Sequence, residues 1–365
     1  MDCPHIPELG YGEFSKLLHQ KVAGQRIPIS GSLELTFRCN LKCQHCYVTH
    51  CQGDYADQKE LTLPEIQSIF DQIVDEGCLW FLVTGGEPLV RRDFLDIYAY
   101  AKRKGLLLTL FTNGTLLTPR IADYLAEWKP FSIEITLYGR TQETYERITG
   151  IPGSHARCMR GIELLMERGL PLKLKTMLMT LNKHELWDMK AYAESLDVPF
   201  RYDPMLNSQL NGSKAPHAFR LSPEEVVQFD IDDPERMSEW IEFTQRYSDI
   251  HIDDRYLYAC GAGKNIFHID SYGHLSACIM SRAQSWNLRQ KTFREGWQEF
   301  LPEVRNQPRK QDSVCMHCKL LAVCGQCPGW AYLEHDNPHQ RVDFLCQVAH
   351  LRDKAIKVTG LLSPS

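Results

Sequence analysis

Between residues 32 and 205 the chain repeats one alternation: a short apolar, β-rich run, then a longer stretch with apolar positions at helical spacing. Runs at 33–37, 79–83, 106–111, 132–137, 172–179 and 199–205 predict strands, and stretches at 64–76, 92–103, 119–127, 142–148, 155–167 and 183–195 predict helices. Pro64 stands where a first-turn proline is tolerated. Repeated strand–helix units build a parallel sheet. Six of them predict an α/β fold, a partial (β/α)6 barrel open on one side.

The unusual residues fall just after the strands. Cys39, Cys43 and Cys46 follow the first, Thr84-Gly85-Gly86-Glu87-Pro88 the second, Thr112-Asn113-Gly114 the third and Tyr138-Gly139-Arg140 the fourth. In βα barrels the loops at the carboxyl ends of the strands share one face, and chemistry gathers there. The pattern therefore predicts one site built from four loops.

The periodicity weakens after residue 206. The stretch 207–254 is polar, with short helical patterns at 223–229 and 234–247, and reads as a connecting segment. The expected organisation is an N-terminal extension (1–31), a barrel (32–206), this linker, a cysteine-rich domain (255–350) and a tail (351–365). No long-period repeat or low-complexity tail is visible.

Composition narrows the class. The 365 residues are 43% hydrophobic and 24% charged, ordinary for a globular protein. A net charge of −5, with no basic run, argues against a nucleic-acid partner. Residues 1–10 lack a basic-then-apolar layout, and no apolar stretch is long enough for a bilayer, so a cytoplasmic protein without a membrane partner is expected. In a reducing compartment 14 cysteines are not expected to pair as disulfides. Ten of them cluster near the two ends, which points to metal. Cys3, Cys51, Cys78 and Cys158 are scattered and read as small buried apolar residues.

The first group, Cys39-x3-Cys43-x2-Cys46, offers three thiolates from one loop. A cubane [4Fe–4S] cluster normally takes four cysteines, so three leave one iron open to a ligand that is not protein. The later group comprises Cys260, Cys278, Cys315, Cys318, Cys324, Cys327 and Cys346. Its paired CxxC spacings first suggest a zinc ribbon, but seven cysteines are too many for one four-ligand site.

Cys39-x3-Cys43-x2-Cys46-Tyr47, with Gly85-Gly86-Glu87 after the next strand, resembles the signature of the radical SAM enzymes. The later cysteines resemble the SPASM extension of that family, which holds auxiliary iron–sulfur clusters. The resemblance runs from about residue 33 to 348 and implies S-adenosylmethionine (SAM) chelated at the open iron of a cluster on Cys39, Cys43 and Cys46. It implies that Gly85, Gly86 and Glu87 engage the SAM amino group, and that Asn113, Thr136, His45 and Tyr47 line the SAM pocket.

It further implies three [4Fe–4S] clusters. One auxiliary cluster would sit on Cys315, Cys318, Cys324 and Cys346, the other on Cys260, Cys278 and Cys327. The latter departs from many relatives, because no cysteine lies between Cys260 and Cys278 and only two residues separate Cys324 from Cys327. Its fourth position is open, filled by substrate, or taken by Asp270, His268 or His274.

The activity implied is reductive cleavage of SAM to a 5′-deoxyadenosyl radical. That radical abstracts hydrogen from a peptide or protein substrate, giving an oxidative modification or a thioether or carbon–carbon crosslink, with auxiliary clusters accepting an electron. Relatives of this layout include sulfatase-maturing enzymes, the PQQ-pathway peptide cyclase and thioether-forming peptide synthases. Alternatives are dehydrogenation or epimerisation of a small molecule, or a zinc-bound scaffold without catalysis.

Flavodoxin or ferredoxin is the implied electron donor. The stretch before the first strand is too short for a winged-helix recognition domain, so leader recognition is expected from a separate partner or from the barrel. No spacing identifies the catalytic acid or base. Lys175, Tyr138, Arg201, Tyr202 and Asp203 are candidate cavity residues.

Overall fold

The computed structural model describes residues 10–48, 59–247, 255–310, 313–316, 318–320 and 324–362. Cys3 and Cys51 lie outside them. The predicted strands form one continuous run in a nine-stranded sheet of order β6-β5-β4-β3-β2-β1-β7-β8-β9. The strands β1 (Ser30–Glu34), β2 (Trp80–Thr84), β3 (Leu107–Thr112), β4 (Ser132–Thr136), β5 (Leu172–Met177) and β6 (Phe200–Asp203) are parallel neighbours. Sheets covered on both faces need apolar residues on both. Leu33, Leu108, Leu110, Ile133, Ile135 and Leu174 accordingly have no exposed surface.

The helices begin where the local chemistry favours it. α1 (Tyr11–Lys21) buries none of its residues, and rests Tyr11 and His19 on Trp80 at the start of β2. α2 (Leu63–Asp75) opens on a capping box in which the Thr62 amide donates to Glu65 Oε2 at 2.7 Å. α3 (Phe94–Arg103), α4 (Pro119–Glu127), α5 (Gln142–Thr149), α6 (Ser154–Met166) and α7 (Leu186–Ser195) complete the βα repeats.

Two features depart from the sequence pattern. The first strand spans Ser30–Glu34 rather than 33–37, because its ladder to β2 ends at the Glu34–Thr84 pair, where β2 turns off at Gly85. Residues Leu35, Thr36 and Phe37 continue, buried, toward Cys39. The C-terminal module also enters the sheet itself. Strand β7 (Ile266–Ile269) runs parallel to β1 on the side opposite β2, and β8 (His274–Ser276) and β9 (Trp286–Asn287) follow antiparallel.

Beside β6 the stretch 207–247 is more ordered than a linker. Helix α8 (Pro223–Asp232) starts on a Ser222–Glu225 capping box, and α9 (Pro234–Tyr247) follows at once. Leu221, Val226 and Val227 form one buried cluster with Tyr202 of β6 and with Val348 of the last helix, α10 (Asp343–Leu362). No helix among the described residues is long and apolar enough to cross a membrane.

Candidate active site and cysteine centres

A cavity of about 910 Å³ opens over the carboxyl ends of the parallel strands. Thr84, Thr112, Thr136, Met177 and Asp203, which end β2 to β6, all line it. Cys39, Cys43 and Cys46 stand at one end, and Cys324 and Gly325 of the C-terminal module also reach it.

The cysteine loop is tied down on several sides. The Lys42 amide donates to Thr149 O at 2.8 Å and the Gln44 amide to Ile148 O at 3.1 Å, which moors the loop on the end of α5. Gln209 Nε2 donates to Cys46 O at 3.1 Å. Asn113 Nδ2 donates to Asn40 Oδ1 at 2.9 Å and reaches Cys39 Sγ at 3.8 Å, where the Leu41 amide donates at 3.4 Å. Asn113 therefore braces the loop.

Gly85 and Gly86 are required by close backbone approach. Gly85 has φ +139°, and a Cβ there would lie 2.4 Å from Thr36 O. A Cβ on Gly86 would lie 2.4 Å from Arg38 O. The Gly86 amide donates to Thr36 O at 2.7 Å and the Glu87 amide to Arg38 O at 3.0 Å, so the turn after β2 runs alongside the segment leading to Cys39.

Glu87 lies at the junction of two turns. Its side chain is fully buried and does not line the cavity. The carboxylate accepts from Thr112 Oγ1 at 2.8 Å, the Asn113 amide at 2.7 Å and the Leu89 amide at 3.1 Å. Burial raises its pKa to about 7, against those hydrogen bonds. The side chain joins the β2 and β3 turns, and the turn's backbone at Gly85 and Gly86 lines the cavity.

His45 and Tyr47 do line the cavity, as do Asn113 and Thr136. His45 packs edge-on to Tyr138, with ring centroids 5.0 Å apart. Burial lowers its pKa to about 4, so the imidazole is neutral. Its Nδ1 is buried with no hydrogen-bond partner. The candidate cavity residues Lys175, Tyr138, Arg201, Tyr202 and Asp203 are all in the wall as well.

The residues present fit an iron–sulfur cluster and a polar organic ligand. Burial raises the pKa of all three loop thiols, Cys46 to about 11, and neighbouring thiols raise Cys43 further. Three crowded thiols ionise together only beside strong positive charge, which cluster iron provides. The unpartnered His45 Nδ1 and the glycine-lined turn offer polar contact to an organic ligand beside them.

The later cysteines divide into two groups. Cys260, Cys278 and Cys327 lie close together: burial chiefly raises Cys278 to about 11, with Cys327 and Cys260 adding to it, and Cys260 also adds to the rise at Cys327. Cys315, Cys318, Cys324 and Cys346 line a separate hollow of about 100 Å³. Among the described residues, no three His, Cys, Asp or Glu side chains converge tightly enough to hold a single metal ion. Cys78 and Cys158 are buried free thiols, as anticipated.

The non-cysteine candidates for the three-cysteine group are engaged elsewhere. His268 is buried between Ser32 Oγ, 2.8 Å from its Nδ1, and Glu34 Oε2, 3.3 Å from its Nε2. Asp270 accepts from the Tyr272 and His274 amides and pairs with His274 Nδ1 at 3.0 Å. His268 thus ties β7 to β1, while Asp270 and His274 organise the β7–β8 turn.

Sequence reasoning missed a buried charge network. Glu34, fully enclosed at the end of β1, receives Arg282 Nη1 at 2.7 Å and Nη2 at 2.8 Å, with Tyr47 Oη at 3.5 Å. Burial alone would raise its pKa, but Arg282 and His268 outweigh that and hold it at about 2. An acid inside the largely apolar run Leu33-Glu34-Leu35-Thr36-Phe37 was the one available signal.

The radical SAM superfamily profile matches residues 33–194, the span that carries the end of β1, the cysteine loop and strands β2 to β5. Those residues are a radical SAM domain. The radical SAM chain is 27% identical over 332 residues to the AdoMet-dependent heme synthase of Methanosarcina barkeri, covering 82% of this chain and 90% of that one. It is 26% identical over 330 residues to the mycofactocin maturase MftC of Mycolicibacterium smegmatis, covering 85% and 80%.

Its fold resembles Streptococcus suis SuiB bound to the precursor peptide SuiA, with a TM-score of 0.70, 18% identity and coverage of 95% and 84%. It also resembles anSMEcpe with bound AdoMet, with a TM-score of 0.66, 18% identity and coverage of 92% and 100%. The protein is a radical SAM enzyme that uses SAM and a [4Fe–4S] cluster.

Proposed function

We propose that this enzyme abstracts hydrogen from a residue of a peptide or protein substrate, giving an oxidised or crosslinked product. In this reading Cys39, Cys43 and Cys46 hold the SAM-binding cluster. Gly85, Gly86, Asn113, Thr136, His45 and Tyr47 surround SAM, the glycines through their backbone. Cys315, Cys318, Cys324 and Cys346 hold one auxiliary cluster, and Cys260, Cys278 and Cys327 hold another without a fourth side chain. When bound, these groups supply a 5′-deoxyadenosyl radical and one-electron acceptors.

The observation that carries the reading is the single cavity reaching from the first cysteine loop to Cys324 of the second module. Its volume of about 910 Å³ leaves space beyond a nucleoside cofactor for a substrate residue. The chain's own residues shape that space. Trp240 and Phe243 of α9 add an apolar wall beside β6, while Tyr138, half-buried, packs on His45 of the cysteine loop. MftC and the peptide-bound SuiB fold support a peptide substrate.

A second reading has its own support. The heme synthases among the relatives and the cationic side chains in the cavity wall favour a small molecule bearing carboxylates. Incubating the anaerobically reconstituted enzyme with SAM, reductant and candidate peptides, followed by mass spectrometry, separates the two. Loss of hydrogen mass from a peptide supports the first reading; turnover of a carboxylated small molecule alone would overturn it.

A further inference from the structure

The cavity carries an unusual charge arrangement along β4, β5 and β6. Glu134 on β4 lies behind Lys175 on β5 and Arg201 on β6. Its Oε2 is 3.2 Å from Lys175 Nζ and 2.6 Å from Arg201 Nη2. One buried carboxylate oxygen therefore answers two cations. Lys175 and Arg201 are cross-strand neighbours and both line the cavity, while Glu134 does not.

The same motif recurs beside β6, where Arg236 Nη1 donates to Tyr202 O at 3.1 Å. Asp230, fully buried, sits between Arg236 of α9 and Arg352 of α10, at 2.5 Å and 2.7 Å, and both arginines line the cavity. Among the described residues four Lys and Arg side chains line the cavity, and Asp203 is its one lining carboxylate. Asp203 Oδ1 already accepts the Met205 amide at 2.8 Å.

With Asp203 also facing Arg201, Arg236 and Arg352, the four cations meet three carboxylates and one positive charge is in excess. Arg352 lies over the Trp240 ring, 4.0 Å from its centroid, and is almost wholly buried. Arg201 keeps 61% of its side chain accessible, which leaves guanidinium donors available to a ligand. Lys175 is largely buried, and burial lowers its pKa to about 7 even with Glu134 beside it. An anion meeting both groups would gain charge-assisted hydrogen bonds, which are stronger than neutral ones.

Resting on the proposed hydrogen abstraction, we infer that Lys175 and Arg201 form a carboxylate-binding subsite that orients the substrate. The carboxylate is an acidic side chain of a peptide or an acid group of a small apolar molecule. The surrounding Phe111, Trp240 and Phe243 would hold the apolar part of either.

The test uses the full-length reconstituted enzyme with SAM bound. Dansyl-glutamate represents the peptide source and coproporphyrin III the small-molecule source, each compared with its neutral ester by fluorescence titration. At least one acid is expected to bind about tenfold or more tighter than its ester, a size ordinary for a charged hydrogen bond. Whichever probe shows that preference identifies the source. Lys175→Gln and Arg201→Gln should each abolish the preference, and Arg201→Lys should restore part of it. Lys173→Gln, exposed on the same strand, is the control.

Acids that bind no better than esters, or a preference surviving both substitutions, would overturn the subsite. So would a fall in SAM affinity in its place. SAM cleavage to 5′-deoxyadenosine, followed in the same samples, separates the two readings. Cleavage without a carboxylate preference removes the subsite alone, whereas absent cleavage in the wild-type enzyme removes the radical reading beneath it.

Discussion

Glu34 and Arg282, 248 residues apart, meet in a buried two-pronged ion pair with Nη–Oε distances of 2.7 and 2.8 Å. Glu34 ends the first barrel strand, next to the cysteine loop through Tyr47. Arg282 Nε also donates to Ile279 O at 2.7 Å, beside Cys278. The pair thus joins the two cysteine-bearing parts of the chain, and it does so where β7 has already married the second part to the sheet.

Removing one member of a buried ion pair strands the other charge, so Glu34→Ala should cost about 3–5 kcal/mol in chemical denaturation. The double replacement Glu34→Leu with Arg282→Met should cost much less than the sum of the single changes. Additive losses would mean the two side chains do not interact.

The same carboxylate sets an acid limit. Its folded pKa, about 2, is below the ordinary 4.5, so its contribution is present above pH 4.5 and is lost as pH falls from there toward 2. Stability measured across that window should fall less steeply in Glu34→Gln than in the unaltered protein.

Glu87→Gln should lower stability by about 1–3 kcal/mol, because an amide nitrogen would face the Asn113 or Thr112 donor now satisfied by carboxylate. SAM affinity should fall only as a consequence. A large loss of SAM binding at unchanged stability would instead put Glu87 in direct ligand contact.

Gly86→Ala should disrupt the site more than its size suggests. The new Cβ would sit 2.4 Å from Arg38 O, a backbone atom with little room to yield, so the turn and the cysteine loop must separate. Calorimetry and equilibrium dialysis with SAM should both register the change.

Much of this was legible in the sequence because barrel chemistry gathers at strand ends. The runs at 79–83, 106–111 and 132–137 come within a residue of β2 to β4, and they correctly located the turns that line the cavity. Long-range pairing was not legible. Strand β7 joins β1 by hydrogen bonds between backbones, which leave no mark on residue type. Glu34 gave a faint sign, an acid in the largely apolar run 33–37, but nothing local pointed to Arg282. Glu87 shows a related case: its residue type suits an ammonium, but the three backbone and hydroxyl donors that meet it were not legible.

The central claim is that Cys39, Cys43 and Cys46 support reductive SAM cleavage. The most direct measurement is 5′-deoxyadenosine formed from SAM and a strong reductant by the anaerobically reconstituted protein, with iron counted alongside. The account predicts steady formation, about twelve irons per chain for three clusters, and loss of the product with about a third of the iron in Cys43→Ala. A colourless protein that leaves SAM intact, or a Cys43→Ala variant that still forms 5′-deoxyadenosine, would contradict it.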